Sequence, residues 1–405
     1  MCLGSFLKPL TREALVMLRS KLSLLCALIL MPCTAQSATE YLSDDSFQKI
    51  AAQTFRPVID DHDLPGLVIG LSYHGEHYVF TYGLADQANE MPVDANTLFE
   101  LGSVSKLFNV ALAALADEKG VLSLASPVST VVPELKGSAF DQITIEDLAA
   151  HANGGLPLQV PSSLESEEEL IRWLAAWEPI AAPDTIRSYS NVGTGLLGMI
   201  AGEAFDTSYE EAITAHLLNP LGLNDTYITV PEEALPHYAY GYISGSAEPI
   251  RVTPGVFDAE SYGIKSSVND MLRFIDVHLG RIDIPVEIES ALSRTREAIY
   301  DTAYYGQGMV WEEYNWPIDL ARLTEGNSNE MAREPHSITR RDGPIDGTTF
   351  LNKTGSTNGF GVYIALIPDE NIGVVVLANQ RYPNPVRAEA TVHLIEHVLS
   401  GDDTE

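Results

Sequence analysis

Three short motifs, far apart in the chain, hold side chains that together could catalyse acyl transfer. They are Ser103-Val-Ser-Lys106, Tyr189-Ser-Asn191 and Lys353-Thr-Gly355, and they are separated by 83 and 162 residues. Each motif alone is common in a protein of this length. In combination they supply a nucleophile, two groups that can move its proton, and a cation for an anionic substrate. The three motifs therefore predict chemistry through a covalent serine ester.

Ser103 needs a base, because a serine hydroxyl is a poor nucleophile until a neighbouring group removes its proton. Lys106 follows Ser103 by one helical turn, so both side chains face the same side of the helix predicted to begin there. Lysine can act as the base only when burial or nearby cations lower its pKa, and such cations also favour the phenolate of Tyr189. The sequence leaves the choice between Lys106 and Tyr189 open, since coupled groups share their protons.

The remaining motif residues are candidates for substrate binding. Asn191 could orient Lys106 and donate a hydrogen bond to a substrate amide. The Lys353-Thr-Gly355 motif precedes a predicted strand, and a glycine there would let a substrate backbone approach closely. The backbone N–H groups of Ser356 and Ser103 could together form an oxyanion hole.

Strand patterns lie near both ends of the chain, with helical patterns between them. The predicted elements, in chain order, are a hairpin (66–82), helices (106–119, about 163–174 and 191–204), a long loop (322–349), two strands (359–367 and 372–379) and a last helix (about 385–399). This order predicts an α/β (α+β) fold, in which an antiparallel sheet flanked by helices is built from both chain ends and an all-helical lobe is inserted.

The N-terminus has the pattern of a secretory signal, which we assign to residues 1–37. A basic segment ends at Lys21, an apolar run follows from Leu22 to Met31, and small residues suited to cleavage come next. All three cysteines (Cys2, Cys26 and Cys33) fall in this region, so the mature protein would contain none. We therefore expect a periplasmic protein without disulfides and with no membrane attachment after cleavage.

The chain is strongly acidic, with 24 basic residues, 56 acidic residues and a net charge of −32. Without residues 1–37 the balance is 20 basic against 55 acidic residues, a net charge of −35. Such a surface repels nucleic acid and anionic lipid, which excludes both as partners. We interpret the charge as adaptation to a saline medium, in which carboxylates keep the protein hydrated and could also hold surface cations. We expect a monomer.

Longer segments around the motifs resemble one known family. They are Phe99-Glu-Leu-Gly-Ser-Val-Ser-Lys106, Gly154-Gly-Leu-Pro-Leu-Gln-Val-Pro161, Asp258-Ala-Glu-Ser-Tyr-Gly-Ile-Lys265, Lys353-Thr-Gly-Ser-Thr-Asn-Gly-Phe-Gly361 and Leu377-Ala-Asn-Gln-Arg-Tyr-Pro-Asn-Pro-Val-Arg387. These segments look like those of the class C (AmpC-type) β-lactamases, in the superfamily of serine β-lactamases and penicillin-binding proteins. The resemblance extends from about residue 45 to about residue 398.

The resemblance implies an α/β sandwich domain (39–100 and 242–405), a helical domain (101–241) and an active site in the cleft between them. It implies hydrolysis of β-lactam antibiotics to ring-opened β-amino acids, with a preference for cephalosporins and with no required cofactor or metal. The roles that it implies are these: Ser103 as nucleophile, Lys106 and Tyr189 in proton transfer, Asn191 and Gln159 at the substrate amide, Lys353, Thr354, Asn384 and Arg387 around the substrate carboxylate, and Tyr262 along the side-chain pocket. Gly355 and Ser356 complete the predicted substrate site.

Other activities remain open from the sequence. A D-Ala-D-Ala peptidase, a small-ester hydrolase or a β-lactam sensor would use the same serine and differ in how fast water attacks the acyl-enzyme. A zinc protease is a separate alternative, because His393-Leu-Ile-Glu396-His397 matches a metal-binding pattern on a helix. That motif lacks an evident third ligand, and the apolar residues of its helix favour ordinary packing against the sheet.

Overall fold

A ten-stranded antiparallel sheet forms the central layer of the computed structural model, which describes residues 42–401. The predicted signal region and its cysteines lie outside the described residues. The sheet has the strand order β12-β8-β9-β10-β13-β14-β15-β1-β2-β3, with β1 (Gly66–Tyr73), β2 (Glu76–Asp86), β3 (Met91–Pro92), β8 (Tyr300–Asp301), β9 (Gly306–Gln307), β10 (Glu312–Asn315), β12 (Thr339–Arg340), β13 (Thr349–Ser356), β14 (Gly361–Ile367) and β15 (Ile372–Ala378).

Two small sheets accompany the large one. Their strands are β4 (Phe99–Glu100), β7 (Lys265–Ser266) and β6 (Thr226–Tyr227) in one, and β11 (His336–Ser337) and β5 (Ile186–Arg187) in the other. The helices are α1 (Asp44–His62), α2 (Ser105–Glu118), α3 (Ile145–Ala149), α4 (Glu167–Ala175), α5 (Asn191–Ala204), α6 (Tyr209–Ile213), α7 (Asn219–Leu221), α8 (Asp258–Tyr262), α9 (Val268–His278), α10 (Val286–Arg296), α11 (Leu320–Gly326), α12 (Asn329–Arg333) and α13 (Asn384–Ser400).

Both ends of the chain meet in the large sheet, which confirms that part of the prediction. The β1–β2 hairpin pairs through β1 with β15, where Leu67 lies opposite Ala378. The period-2 alternation of β15 divides its side chains between two cores, since successive residues of a strand point to opposite faces. Val374 and Val376 belong to the core beneath α1 and α13, whereas Val375 and Leu377 belong to the core on the other face. Burying each such side chain stabilises the fold by about 1.5–3 kcal/mol.

The helical elements between the sheet strands are organised around α2, which begins directly after the predicted nucleophile. Twelve of its 14 residues are buried, and the helix packs on α5, α8 and α10. Its Ala- and Leu-rich sequence favours a helix and allows close packing on every side. The predicted division into domains at residues 100/101 and 241/242 stays a prediction.

Residues 322–349 differ from the predicted long loop. They contain most of α11, all of α12 and the short strands β11 and β12. Asp319 caps α11 through the N–H groups of Ala321 and Arg322, and Ser328 caps α12. Because these helices have only seven and five residues, neither is long enough to show a helical period in the sequence.

The Lys353-Thr-Gly355 motif precedes β14, as predicted, but it also lies inside β13, a strand that the sequence pattern did not predict. The strand already begins at Thr349, where polar residues hide the usual strand pattern. Within residues 42–401, no helix has the length and apolar character needed to cross a membrane.

Candidate active site

Ser103 lies in a short 3₁₀ turn, Gly102–Val104, that leads into α2. Lys106 is fully buried beneath it, and its Nζ lies 3.3 Å from Ser103 Oγ. The same Nζ donates to the carbonyl of Ser261 at 2.7 Å, which fixes the direction of the lysine side chain. The two residues are therefore held as a contacting pair by the rigid start of a buried helix.

Two glycines bring this turn against β13. A Cβ on Gly102, whose φ is +54°, would lie 2.5 Å from the backbone nitrogen of Ser356, and a Cβ on Gly355 would lie 2.1 Å from the carbonyl of Leu101. Neither approach is possible for a residue with a side chain. Position 355 therefore requires glycine because the protein's own backbone at Leu101 lies so close, and not only because a substrate must approach.

The second half of β13 forms one wall of a cleft. The neighbouring strand β10 pairs only with residues 349–352, so no strand of the sheet pairs with that side of β13 from Lys353 to Ser356. Lys353 is nearly buried, and its Nζ contacts the carbonyl of Thr354 at 3.0 Å. A local strand edge beside a cation suits an extended, anionic ligand.

Tyr189 follows β5 and is surrounded by cations. Lys353 Nζ lies 5.1 Å from the centre of its ring, and Lys106 Nζ and Arg187 Cζ each lie 5.3 Å from it. The Tyr189 hydroxyl is buried, and the described residues give it no hydrogen-bond partner. The phenol nevertheless lies close enough to Ser103 and Lys106 for hydrogen bonding to affect its own pKa and that of Lys106, so it can bond the attacking serine, a substrate or a water molecule.

The cations and the burial change the acidities of both candidate bases. Burial is the main reason that the pKa of Lys106 falls to about 8; Tyr189 opposes this change and Lys353 reinforces it. Burial alone would raise the pKa of Tyr189, but the charges of Lys106 and Lys353 outweigh burial and lower that pKa to about 8. Both groups can therefore exchange a proton near neutral pH.

Sequence reasoning missed Arg187, which holds Tyr189 in place. Its guanidinium lies between the rings of Tyr189 and Tyr305, with Cζ 5.3 and 5.5 Å from their centres. The Nε atom donates to Gln307 Oε1 at 2.7 Å, and Glu312 Oε1 lies 3.7 Å from Nη2. Since its partners come from β9 and β10, more than 100 residues away, no local pattern could have identified it.

His151 packs on Tyr189 as well. The two ring centres are 4.4 Å apart, and His151 Nδ1 accepts the backbone N–H of Ser190 at 3.4 Å. Burial, together with the charge of Arg187, keeps the pKa of His151 well below its usual value. A neutral imidazole thus supports the phenol ring, which agrees with a structural role for His151.

The predicted amide-binding residues line the cleft near α5 and α8. Asn191 begins α5, its backbone N–H donates to the carbonyl of Leu158 at 2.9 Å, and its Oδ1 is buried without a partner in the described residues. The Tyr262 hydroxyl donates to Asp258, and burial raises the pKa of Tyr262. Tyr262 therefore lines the cleft, and its hydroxyl stays protonated.

The cleft has a volume of about 780 Å³ and contains ten of the twelve predicted site residues in its lining. They are Ser103, Gln159, Tyr189, Asn191, Tyr262, Lys353, Thr354, Gly355, Ser356 and Asn384. Lys106 is buried directly behind Ser103. One cleft therefore contains a nucleophile, its candidate bases and polar groups on both sides.

Arg387 does not line the cleft, in contrast to its predicted place around the substrate carboxylate. It is fully buried, and its Nη1 donates to the carbonyl of Gly355 at 2.6 Å and to Ser356 Oγ at 2.9 Å. Burial lowers its pKa to about 10. Because α13 begins behind the end of β13, this guanidinium supports the strand wall from the rear instead of facing a ligand.

The alternative metal motif lies on α13. In the part of the chain that the structure describes, no group of three or more His, Asp or Glu side chains is arranged to hold a metal ion. His393 and His397 therefore lack a third protein ligand among these residues.

Comparisons with known proteins agree on one family. A family model described as Beta-lactamase matches residues 51–399. The beta-lactamase of Pseudomonas fluorescens is 38% identical over 347 residues, which cover 85% of this chain and 96% of that protein. The solved class C beta-lactamase of Rhodobacter sphaeroides has a TM-score of 0.85 and 48% identity, covering 87% of this chain and 99% of that one. A class C beta-lactamase solved in complex with cefoxitin has a TM-score of 0.84 and 36% identity, with 87% and 99% covered.

Proposed function

The chain belongs to the β-lactamase family, as a class C member, and from that premise we propose that it prefers cephalosporins to penicillins among the β-lactams that it hydrolyses. The observation that carries the proposed mechanism is the Ser103–Lys106 contact of 3.3 Å beside the Tyr189 phenol in one cleft. The preference is supported by the cefoxitin complex of a relative that is 36% identical. The open cleft also gives room for a cephalosporin substituent.

Acylation begins when Ser103 Oγ attacks the β-lactam carbonyl carbon. Its proton passes to the Lys106–Tyr189 pair, and the backbone N–H groups of Ser103 and Ser356 stabilise the oxyanion. The C–N bond of the ring then breaks, and the ring nitrogen takes a proton from the same pair. The product of this half-reaction is an ester between Ser103 and the opened ring.

Deacylation uses the same groups in reverse order. A water molecule gives a proton to the Lys106–Tyr189 pair and attacks the ester carbonyl. The ester C–O bond breaks, Ser103 Oγ regains a proton, and the ring-opened β-amino acid leaves. No cofactor takes part in these proposed steps.

The remaining cleft residues orient the substrate. Lys353, Thr354 and Asn384 bind its carboxylate, because they line the cleft and include a cation. Asn191 and Gln159 bind the amide of its side chain, which extends along Tyr262. This orientation places the scissile carbonyl over Ser103 between the two sets of contacts.

The substrate preference can be measured with cephalothin and benzylpenicillin. We expect kcat/KM for cephalothin to exceed that for benzylpenicillin by about tenfold, a difference of ~1.4 kcal/mol in transition-state stabilisation. Steady-state kinetics on the mature protein, at one pH and one salt concentration, will give both values. An equal or higher value for benzylpenicillin would contradict the preference and leave hydrolysis itself untouched.

We further propose that the mature protein is a periplasmic monomer adapted to high salt, with surface carboxylates that can bind cations. The support is its charge of −35 after residue 37 and the order of basic, apolar and small residues before it. At low ionic strength the carboxylates repel each other over long distances, and at high ionic strength this repulsion is screened.

We expect the melting temperature of the mature protein to rise by at least about 5 °C between low salt and ~2 M NaCl, since screening removes a repulsion that favours unfolding. Calorimetry or circular dichroism will measure it. Sucrose at matched osmolality is the control, because it stabilises proteins without screening charge. An unchanged melting temperature in NaCl, or an equal rise in sucrose, would contradict the adaptation.

A further inference from the structure

The charge balance of the cleft is opposite to that of the chain. Eight charged residues line it, of which five are basic and three are acidic. The basic ones are Arg187, Arg251, Arg333, Lys353 and Arg381. After residue 37 the chain has only 20 basic residues against 55 acidic ones. A quarter of these scarce cations therefore lie around one cleft, where they attract anions.

Two of these arginines have no partner among the residues that the structure describes. Residues 42–401 contain 14 arginines, and 12 of them contact a carboxylate, a carbonyl or an aromatic ring. Within that part of the chain, only Arg333 and Arg381 have neither a hydrogen bond nor an ion pair nor a ring contact. Both are exposed, and both line the cleft. Their positive charges are thus available to a ligand.

The two arginines belong to segments near the proposed carboxylate end. Arg381 lies three residues before Asn384 and close enough to Arg387 to lower the pKa of that residue. Arg333 ends α12, and the carbonyl of Met331 on the same helix accepts a hydrogen bond from Arg187 at 2.7 Å. Arg381 therefore belongs to the segment of a predicted carboxylate-binding residue, and Arg333 to the helix that holds Arg187 beside the Tyr189 ring.

The opposite end of the cleft has different chemistry. It continues past Gln159 and Tyr262 into a second pocket of about 180 Å³, lined by Val160, Pro161 and Leu164 among others. Asp258 is the only charged residue of that lining. Asp258 would repel an anionic group in this pocket, whereas the cations of the main cleft would attract one.

The positions of the substituents on a cephalosporin determine which of them would lie near the two arginines. The C4 carboxylate and the C3 substituent are neighbours on the six-membered ring, whereas the C7 amide lies at the other end of the molecule. With the carboxylate at Lys353, as in the proposed function on which this step rests, the C3 substituent must also lie at that end. We propose that Arg333 and Arg381 form an anion subsite that favours cephalosporins with a second negative charge on the C3 substituent.

A matched pair of substrates tests the subsite. Cefonicid and cefamandole share the mandelamide side chain and the tetrazolylthiomethyl group at C3, but cefonicid carries an additional sulfonate on that group. The ratio of their kcat/KM values therefore reports the contribution of the sulfonate. We expect Arg333→Gln/Arg381→Gln to lower the cefonicid-to-cefamandole ratio about three- to tenfold, the sum of two exposed charge pairs. Cefamandole should lose less, since it has one anionic group.

Two further variants distinguish an effect of the local subsite from an effect of the electrostatic field of the whole protein. Arg333→Lys/Arg381→Lys keeps both charges and should retain most of the ratio. Arg172→Gln/Lys136→Gln removes two exposed cations that do not line the cleft, and should leave the ratio unchanged. All measurements use one fixed salt concentration, because salt screens exposed charges.

The outcomes are distinct. A ratio that falls only in the Gln/Gln variant of the cleft supports the subsite. The subsite is overturned if cefamandole is still hydrolysed and the cefonicid-to-cefamandole ratio does not change in Arg333→Gln/Arg381→Gln. It is also overturned if the ratio falls equally in Arg172→Gln/Lys136→Gln. Failure of the wild-type protein to hydrolyse cefamandole would instead overturn the proposed function, and the subsite with it.

Discussion

Replacing Ser103 by alanine is expected to lower kcat for cephalothin by about 10⁴-fold or more, to the limit of detection. The change removes the Oγ that forms the acyl bond, an atom that lies 3.3 Å from Lys106 Nζ. Steady-state hydrolysis measures the loss. Mass spectrometry of the protein with a slow substrate should detect an acyl adduct on the wild type and none on Ser103→Ala.

Ser105→Ala is a matched control from the same motif. Ser105 is buried, and its Oγ accepts the backbone N–H of Ile264 at 3.1 Å instead of contacting Lys106. This variant should fold with a small loss of stability and keep most of the turnover. Turnover by Ser103→Ala would contradict the mechanism. A stoichiometric burst without turnover in the wild type would instead indicate a peptidase, an esterase or a sensor.

Replacing Tyr189 by phenylalanine is expected to lower kcat/KM by about 10²–10⁴-fold, the range typical of a lost proton-transfer group. The phenylalanine ring keeps the packing against His151 and Arg187 and removes only the hydroxyl. Tyr363→Phe is the control, since its hydroxyl is also buried without a partner but lies in the core beneath α1 and α13. The control variant should remain within a few-fold of the wild type.

The pH dependence of kcat/KM for the wild-type enzyme should report the titration of the Lys106–Tyr189 pair. Lys106 and Tyr189 both have a pKa of about 8, and the active state needs one proton fewer than the fully protonated pair. Thus kcat/KM should fall as the pH drops below about 8. A profile that is flat from pH 6 to pH 9 would contradict this assignment.

Lys106→Met separates the two candidate bases. The charge of Lys106 lowers the pKa of Tyr189, so its removal should raise that pKa. If Tyr189 is the base, the acid limb of the remaining activity moves to higher pH. If Lys106 is the base, the variant loses that limb together with nearly all of its activity.

The proposed catalytic residues Ser103 and Lys106 could be picked out from the sequence because their spacing is set by local geometry. Ser103 and Lys106 are one helical turn apart, and Asn191 begins a helix whose bounds, 191–204, follow from its own residues. The sheet was predictable in outline for a similar reason, since a strand such as β15 repeats its pattern every two residues.

The misses concern features that depend on distant contacts. Arg187 owes its role to Gln307 and Glu312, and no pattern near residue 187 specifies them. Arg387 was predicted to lie around the substrate carboxylate, yet its Nη1 donates to the end of β13 and the residue is buried behind that strand. Gly355 was assigned to substrate approach, whereas its own chain at Leu101 already excludes a side chain there.

The pairing of β1 with β15 also determines when the cleft can form. Leu67 and Ala378 are neighbours across the sheet although more than 300 residues separate them in the chain. During synthesis, the β1–β2 hairpin must wait for β15, because this partner strand is completed more than 300 residues after β1. The wall that contains Lys353 is made of the same late segment. The cleft can thus form only after the chain up to β15 has been made.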